Sequence, residues 1–364
     1  MKIQEIISLL ENIAPPHLQE NYDNAGLLTG NTGWECSGII VSLDATEKVV
    51  QEAIEKNCNL VVAHHPIIFD GLKKITGKTY VEKTIITAIK NDIAIYAIHT
   101  NLDNVITGVN GKMADMLGLV NRQILQPNKN ILKKLSVFVP AAQAENVRAA
   151  LFIAGAGNIG NYSGCSFNSI GEGTFKAGEG AKPFAGHIGE RHTENEIKIE
   201  VVYPAWIENT VINAILQTHP YEEVAYDLVA LDNQHTAIGS GLVGDLQVPL
   251  TETDFLLVLK NTFNLSIVRH TNFTGNMVKK VALCGGAGSF LIKAAVASEA
   301  DFFITSDVKY HEFFDAEGKL VIADIGHYES EQYSIDLLFD ILKEKYITFA
   351  VLKTEIKTNP VNYF

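Results

Sequence analysis

Cysteine is scarce and scattered in this chain of 364 residues. Its four cysteines form no CxxC pair, and they stand at Cys36, Cys58, Cys165 and Cys284. Small secreted domains that depend on disulfides use cysteine much more densely. We therefore expect reduced, buried thiols and a cytoplasmic protein.

Positive charge is also in short supply, because 29 lysines and arginines face 42 aspartates and glutamates, and the formal net charge is −13. Proteins that bind nucleic acid normally carry a basic patch or stripe, and no such run occurs here. The charge therefore argues against nucleic acid as a partner and, more weakly, against anionic membranes.

Long apolar runs are absent as well. No stretch approaches the ~18 continuous apolar residues of a membrane span. Residues 1–16 carry acids and an amphipathic pattern in place of the basic and apolar regions of a signal peptide. We therefore expect neither a membrane partner nor secretion.

Apolar residues make up 47% of the chain, which suffices for more than one buried core. A chain of this length predicts two or three domains. Towards both ends, short apolar strands alternate with amphipathic helices, which indicates an α/β sheet with parallel strand pairs. The predicted helices are 3–13, 46–56, 80–90, 109–116, 288–298, 308–314 and 327–343, and the predicted strands are 38–43, 60–63, 93–98, 278–283, 302–305 and 320–323.

The middle of the chain has a different pattern. Strands expected at 132–139, 197–203 and 224–231 and helices at 141–151 and 206–217 favour the order β-α-β-β-α-β. Residues 155–189 hold ten of the chain's 28 glycines, which predicts loops or a mobile hairpin there. Boundaries are plausible at 126–130 and 232–235. We therefore predict a split two-part α/β body, 1–128 and 235–364, with a ferredoxin-like α+β domain inserted at 129–234.

Two adjacent histidines, His64 and His65, follow a buried apolar strand and precede Pro66. Proline cannot continue a central strand, so these histidines should lie at its carboxyl end, which is the edge of a parallel sheet where ligands usually bind. Neighbouring residues of an extended chain point to opposite sides. The pair therefore suits two different metal ions better than one.

Three further candidate ligands lie elsewhere in the chain. Asp103 follows the strand predicted at 93–98, and His327 and Glu331 are four residues apart on a predicted helix, which places them on one helical face. Imidazole and carboxylate are ordinary ligands of Zn, Mn and Fe. Spacing alone leaves open that the histidines are packed loop residues and that the His/Glu pair is a solvated surface pair.

Five segments of the chain, in this order, resemble the family of GTP cyclohydrolase 1 type 2 homologues, also called the NGG-one-interacting-factor-three-like family. They are 22–28 (YDNAGLL), 63–66 (AHHP), 99–103 (HTNLD), 305–311 (TSDVKYH) and 324–331 (DIGHYESE). Family members commonly have Trp where Tyr22 stands. The middle, including 219–227 (HPYEEVAYD), resembles the PII/CutA-like insert of the longer bacterial members.

The resemblance implies a dinuclear site with two divalent ions per subunit, Zn foremost and Mn or Fe as alternatives. By position, His65 and Asp103 would bind one ion, His64 and His327 the other, and Glu331 would bridge them. The resemblance also implies a ring-shaped homohexamer whose metal sites face an internal cavity.

Two ions ~3.5–4 Å apart can lower the pKa of a shared water and act as Lewis acids, which is hydrolytic chemistry. The family name points to a nucleotide substrate and to opening of the imidazole ring of a guanine nucleotide. The alternative is a non-catalytic, regulatory or scaffold hexamer that binds metal and senses an effector through its insert.

Proton transfer would need an acid or base near the ions, and His99 and His311 are the candidates, with ligand support or packing as the alternative. Lys309 would meet a substrate phosphate or pair with Asp307. The glycine-rich run 284–288 would hold an anion or form a tight turn. Tyr22 is expected to be a packed aromatic, with a platform for base stacking as the alternative.

Overall fold

Three β-sheets organise the chain in the computed structural model, which describes all 364 residues. The strands are β1 (Gly26–Thr29), β2 (Ile39–Asp44), β3 (Leu60–His65), β4 (Ala94–Ala97), β5 (Val120–Pro127), β6 (Leu132–Pro140), β7 (Phe167–Lys176), β8 (Arg191–Pro204), β9 (Tyr226–Leu231), β10 (Gly239–Thr251), β11 (Arg269–His270), β12 (Met277–Ala287), β13 (Phe302–Ser306), β14 (Val321–Asp324) and β15 (Val351–Lys353).

The α-helices are α1 (Ile3–Ile13), α2 (Glu47–Glu55), α3 (Tyr80–Lys90), α4 (Thr100–Asp103), α5 (Val109–Met116), α6 (Ala144–Ile153), α7 (Glu208–Thr218), α8 (Glu252–Thr262), α9 (Ile292–Ala297), α10 (His327–Glu331) and α11 (Ser334–Lys345). The chain divides into two units, one of Met1–Pro127 with Ala237–Phe364 and one of Asn128–Thr236. The mixed α/β class is confirmed, and the strands form three sheets.

The first unit contains two sheets. One has the strand order β1-β4-β3-β2-β15, and its strands β4, β3, β2 and β15 are parallel. The other has the order β11-β14-β13-β12-β10-β5, with β14, β13 and β12 parallel. Because parallel neighbours end at one edge, each sheet gathers its strand ends on one side.

Each half of this unit lends a strand to the sheet of the other half. Strand β15 comes from the second half of the sequence and pairs with β2 of the first sheet. Strand β5 comes from the first half and pairs with β10 of the second sheet. The two sequence segments on either side of the insert therefore build one interlocked structure.

Local sequence accounts for the helices that were predicted correctly. Helix α3 begins where the Thr79 side chain accepts a hydrogen bond from the Glu82 amide, which satisfies a free donor of the first turn. Its Ile85 and Ala88 are buried, three residues apart as an amphipathic helix requires. Helix α1 buries Ile3 with residues at the same helical spacing.

The helix predicted at 327–343 is wrong as one continuous helix. It is broken into α10 and α11 between Glu331 and Ser334. The hydroxyl of Ser330 donates to the carbonyl of His327, at 2.8 Å, and this back-bonding to the preceding turn bends helices. The segment predicted as a helix at 308–314 is a 3₁₀-helix, Tyr310–Ala316.

The second unit follows the element order β6-α6-β7-β8-α7-β9, and its strands lie in the order β7-β8-β6-β9. The glycine-dense stretch expected to form loops or a mobile hairpin contains β7, whose ten residues pair one to one with the antiparallel strand β8. Strand β8 begins six residues before the predicted strand, at Arg191. The first residues of β8 are polar, so the apolar pattern that predicted the strand starts only at residue 197.

All four cysteines are free; Cys36, Cys58 and Cys284 are buried and Cys165 is partly exposed. The longest α-helix has 12 residues, and no helix combines the length and the apolar character that a membrane span needs.

Candidate metal centre

The two adjacent histidines are the last residues of β3, not residues just beyond it. His64 is completely buried, whereas His65 is partly exposed. Strand β4 runs parallel to β3, so the chain that leaves β4 reaches the same edge of the sheet. That chain forms the short helix α4, and Asp103 is its last residue.

The second sheet supplies the other candidate ligands. After β14 the chain turns at Gly326, where φ is +92°, and α10 begins at His327. Glu331 follows one helical turn later and is 2% exposed. Residues from both sheet edges line a cavity of about 1010 Å³ in this unit.

The Glu331 carboxylate lies at the centre of the cluster. Its Oε2 is 2.8 Å from Nε2 of His65 and 2.9 Å from Nε2 of His327. Its Oε1 is 3.9 Å from Nε2 of His64, and that nitrogen is 3.6 Å from Oδ1 of Asp103. One carboxylate therefore presents a different oxygen to each of two groups of side chains.

The grouping of the ligands differs from the one that the resemblance implied. The structure groups His65 with His327 and Glu331, and His64 with Asp103 and Glu331. The two histidines do fall into different groups, as their positions in an extended strand require. The pairing of His65 with Asp103 and of His64 with His327 is wrong, because Asp103 lies beside the buried His64.

Unpaired polar atoms indicate that the cluster fits a cation. Nε2 of His64 and Oδ1 of Asp103 are buried and have no hydrogen-bond partner. Buried polar atoms are almost always paired, so two that face each other at 3.6 Å need an occupant that accepts electron pairs. Imidazole nitrogens and carboxylate oxygens are suitable ligands for divalent Zn, Mn or Fe. The bonds from Zn to such atoms are ~2.0–2.2 Å long.

The other ring nitrogen of each ligand histidine is also held. An acceptor at Nδ1 fixes the tautomer and leaves Nε2 free to face the centre. The acceptors are the carbonyl oxygen of Ile98 for His64 (2.9 Å), Oδ1 of Asp44 for His65 (2.8 Å) and Oδ2 of Asp307 for His327 (2.6 Å).

Sequence reasoning missed Asp44, and for Asp307 it named only Lys309 as one possible partner. Asp44 is the last residue of β2, and Asp307 directly follows β13. An acid at the carboxyl end of a parallel strand beside the ligand strands was the available signal. Asp307 pairs with His327, whereas the backbone amide of Lys309 donates to Glu312.

The charges of the cluster shift its pKa values strongly. Burial alone would lower the pKa of His65, but hydrogen bonds to Asp44 and Glu331 raise it to about 9. For His327, burial is likewise outweighed by Asp307 and Glu331, and its pKa is raised to about 11. Burial lowers the pKa of His64 to about 3.

The glycine-rich run forms the last residues of β12 and the residue after Ala287, so it is not the tight turn that was expected. It is not an anion site either, because its amides donate to side chains of the protein. The amides of Gly285, Gly286 and Gly288 donate to Asn110, Ser330 and Thr305. At Gly286 φ is +63°, and a Cβ there would lie 2.2 Å from Oε1 of Glu331. The glycine makes room for the central carboxylate.

His99 and His311 have different positions. The ligand atoms of His99, His64 and His65 lie within 4.8 Å of one another. Nδ1 of His99 is 2.8 Å from Oδ1 of Asp23. His311 is exposed, and its ring packs near Tyr310 and Phe314 at the surface, so the structure does not bring it to the cluster.

Tyr22 and the segment after β15 border the same cavity. Tyr22 is 71% exposed, so the expectation of a packed aromatic is wrong. In the segment after β15, the hydroxyl of Thr358 donates to Asp44. The amide of Asn359 donates to Oε1 of Glu329 at 3.1 Å.

A model of the Duf34/NIF3 (NGG1p interacting factor 3) family matches residues 1–360. The chain belongs to this family. The family relationship inferred from the five sequence segments is thereby confirmed.

Proteins from several bacteria resemble the chain over its whole length. The "GTP cyclohydrolase 1 type 2 homolog" of Bacillus subtilis (strain 168) is 40% identical over 365 residues, which covers 99% of this chain and 98% of that protein. The crystal structure of a Bacillus cereus protein related to NIF3 has 39% identity, covers 100% of this chain and 99% of its own, and superposes with a TM-score of 0.87. A structure of Staphylococcus aureus protein SA1388 has 29% identity, covers 100% and 99% of the two chains and gives a TM-score of 0.78.

The variant Gly286→Ala should lose bound metal because its Cβ displaces the Glu331 carboxylate. Gly318→Ala is the matched control: its φ is +68°, but no atom lies near its Cβ position. Both variants bear backbone strain of about 1–2 kcal/mol, and the contact of the new Cβ with the buried carboxylate should lower the unfolding midpoint of Gly286→Ala further. Elemental analysis should find metal depleted only in Gly286→Ala; equal metal content would contradict this role of the glycine.

Metal binding should release protons. With pKa values of about 9 and about 11, His65 and His327 are protonated at neutral pH in the metal-free protein, and a metal ion can bind only their deprotonated rings. We expect about two protons released near neutral pH, and an affinity that rises with pH up to about pH 11, less steeply above about pH 9 where His65 is already deprotonated. Calorimetric titration in buffers of different ionisation enthalpy measures this release. A binding enthalpy independent of the buffer would refute it.

Proposed function

We propose that this protein is a dinuclear, metal-dependent hydrolase that acts on a nucleotide, with ring opening of the GTP cyclohydrolase kind as its reaction. The position of the Glu331 carboxylate, with one oxygen towards each ligand group, carries the proposal. The name of the curated relatives, "GTP cyclohydrolase 1 type 2 homolog", supports the substrate class.

In this proposal each subunit holds two ions, with Zn the first choice and Mn or Fe as alternatives. His65, His327 and Oε2 of Glu331 hold one, while His64, Asp103 and Oε1 of Glu331 hold the other. When bound, such a pair supplies Lewis acidity and a water of lowered pKa. Asp44 and Asp307 keep the histidine rings in the binding tautomer.

His99 is the residue that we assign to proton transfer. Asp23 fixes its ring through Nδ1. Burial would raise the pKa of Asp23, but hydrogen bonds from His99 and Thr100 lower it to about 2, so the carboxylate stays charged. His99 is thus able to take a proton at Nε2 beside the cluster and to release it again. His311 has no part in this assignment because it lies outside the cavity wall.

The walls of the cavity suit a nucleotide. Tyr22, Phe69 and Phe290 are exposed aromatic side chains on its border, and such rings stack with bases. Arg269 also lines it, held by Oδ2 of Asp324 at 3.0 Å and half exposed. An exposed guanidinium is a suitable contact for phosphate.

A non-catalytic function is the second candidate. The insert's order β-α-β-β-α-β and its strand order β7-β8-β6-β9 support a ferredoxin-like module of the PII/CutA kind. A module of that kind suits an effector-sensing regulator or scaffold that binds metal without turnover. Turnover by the metal-loaded protein distinguishes the two candidates.

The hydrolase test uses protein loaded separately with Zn, Mn or Fe and a panel of nucleotides, with chromatography to follow loss of the parent compound. We expect His99→Asn to lower kcat about 100-fold while metal content is retained, because it removes the proton-transfer group. His311→Asn is the matched control and should retain activity. Equal activity of both variants would remove His99 from the mechanism. No turnover with any metal would favour the regulatory candidate.

We also propose that the protein is a cytoplasmic homohexamer with its metal sites facing an internal cavity, as the family resemblance implies. The free cysteines support a reducing compartment. Analytical ultracentrifugation should give a species of six times the 39.8 kDa chain mass. A monomer at micromolar concentration would contradict the hexamer.

A further inference from the structure

A second cavity, of about 750 Å³, is formed entirely by the unit Asn128–Thr236. That volume is within the range of small-molecule sites, ~300–1000 Å³. Strand β7 and the turn after α7 form much of its wall. Its aromatic side chains are Phe138, Phe175, Phe184 and Tyr221.

The turn after α7 holds Tyr221 in place. Nε2 of His219 lies 2.9 Å from the carbonyl oxygen of Phe138, and its Nδ1 accepts the amide hydrogen of Tyr221 at 3.1 Å. A neutral ring with its proton on Nε2 satisfies both contacts, and burial lowers the pKa of His219. The Tyr221 ring also packs on His219, with centroids 4.9 Å apart. These contacts fix the direction of the tyrosine.

The Tyr221 hydroxyl contacts a buried carboxylate, that of Glu196. The hydroxyl of Tyr221 donates to Oε1 of Glu196 at 2.9 Å, and Glu196 is 9% exposed. A Cβ at Gly173 would lie 2.2 Å from Oε2 of Glu196, so the glycine accommodates the acid. Lys198, on the same wall, pairs instead with Glu200 at 3.1 Å.

A buried carboxylate that lacks an ion pair is costly unless further donors satisfy it. Tyr221 supplies one donor to Glu196, which leaves acceptor capacity on the two oxygens. The strand opposite is open: Gly171 faces Glu196 in the register of β7 and β8 and has no atom near its Cβ position. There is space for a ligand beside the acid.

The remaining charges of the wall select against anions. Glu172, Glu222 and Glu223 line the cavity together with Glu196, against two lysines. A phosphorylated ligand would be repelled, whereas a cation or a group with several N–H donors would be attracted. Aromatic rings beside an acid are a favourable environment for such a group.

We propose that this cavity binds a small planar aromatic ligand with side-by-side N–H donors, as in an amidine or a guanine-type base without phosphate. The donors pair with the carboxylate of Glu196, and the flat body packs against Tyr221 and Phe175, whose rings are 5.9 Å apart. The site belongs to the insert alone and is independent of the metal centre and of any hydrolysis there.

The test uses benzamidine as the probe and the full-length protein. Saturation-transfer NMR and calorimetry should detect saturable binding, and benzamide, which replaces one donor with an acceptor, should bind at least about tenfold more weakly. Glu196→Gln should weaken benzamidine binding by at least about tenfold, because it removes the charge that pairs with the donors. Benzamidine that binds no better than benzamide would overturn the proposal.

A second variant tests the cavity without changing Glu196, in case Glu196→Gln alters the local fold. Gly171→Val adds a side chain in open space on a strand, where valine is well accepted, and should block the cavity. Glu331→Gln, in the metal centre, should bind benzamidine like the wild type. Undiminished binding by Gly171→Val, or loss of binding in Glu331→Gln, would place the probe elsewhere and refute the assignment.

Discussion

One buried carboxylate, that of Glu331, sets the constraint on which the body of this protein depends. It lies among three histidines and accepts from two of them. A charge taken out of water at this depth must be compensated, and here protonated imidazoles or metal ions can provide the compensation. The surrounding structure is fitted to it: Gly286 leaves space beside one oxygen, and the Gly286 amide donates to the hydroxyl of Ser330, which connects the end of β12 to the helix that carries Glu331.

The two sheets of the body bring the ligands together from both ends of the sequence. His64, His65 and Asp103 stand at the carboxyl edge of the first sheet, and His327 and Glu331 follow a strand of the second. The exchange of β5 and β15 between the halves links these sheets through main-chain hydrogen bonds. Ligand geometry therefore rests on the regular part of the fold and not on side chains in mobile loops.

Sequence patterns predicted the elements that depend on interactions between residues close together in the sequence. Helix α3 has a cap and an apolar stripe, and β3 is an apolar run closed by proline; both were recognised. A hairpin was left open for the glycine-dense stretch, but β7 was not predicted as a regular strand, because its stability depends on pairing with β8 and its glycines have a low strand propensity. The ligand residues were singled out by their place after strands and by motif. Their grouping could not be predicted, because it depends on how two sheets face each other.

The exchange of strands also has a consequence for how the protein is made. Strand β2 acquires its second neighbour only when β15 pairs with it, so the first sheet stays incomplete until the ribosome has passed Lys353. The insert, Asn128–Thr236, finds all the partners of its sheet within its own residues. Since domains tend to fold as units during synthesis, the insert is ready to fold before the body, whose two segments flank it in the sequence. A chain interrupted between them would contain a complete insert and an incomplete set of candidate metal ligands.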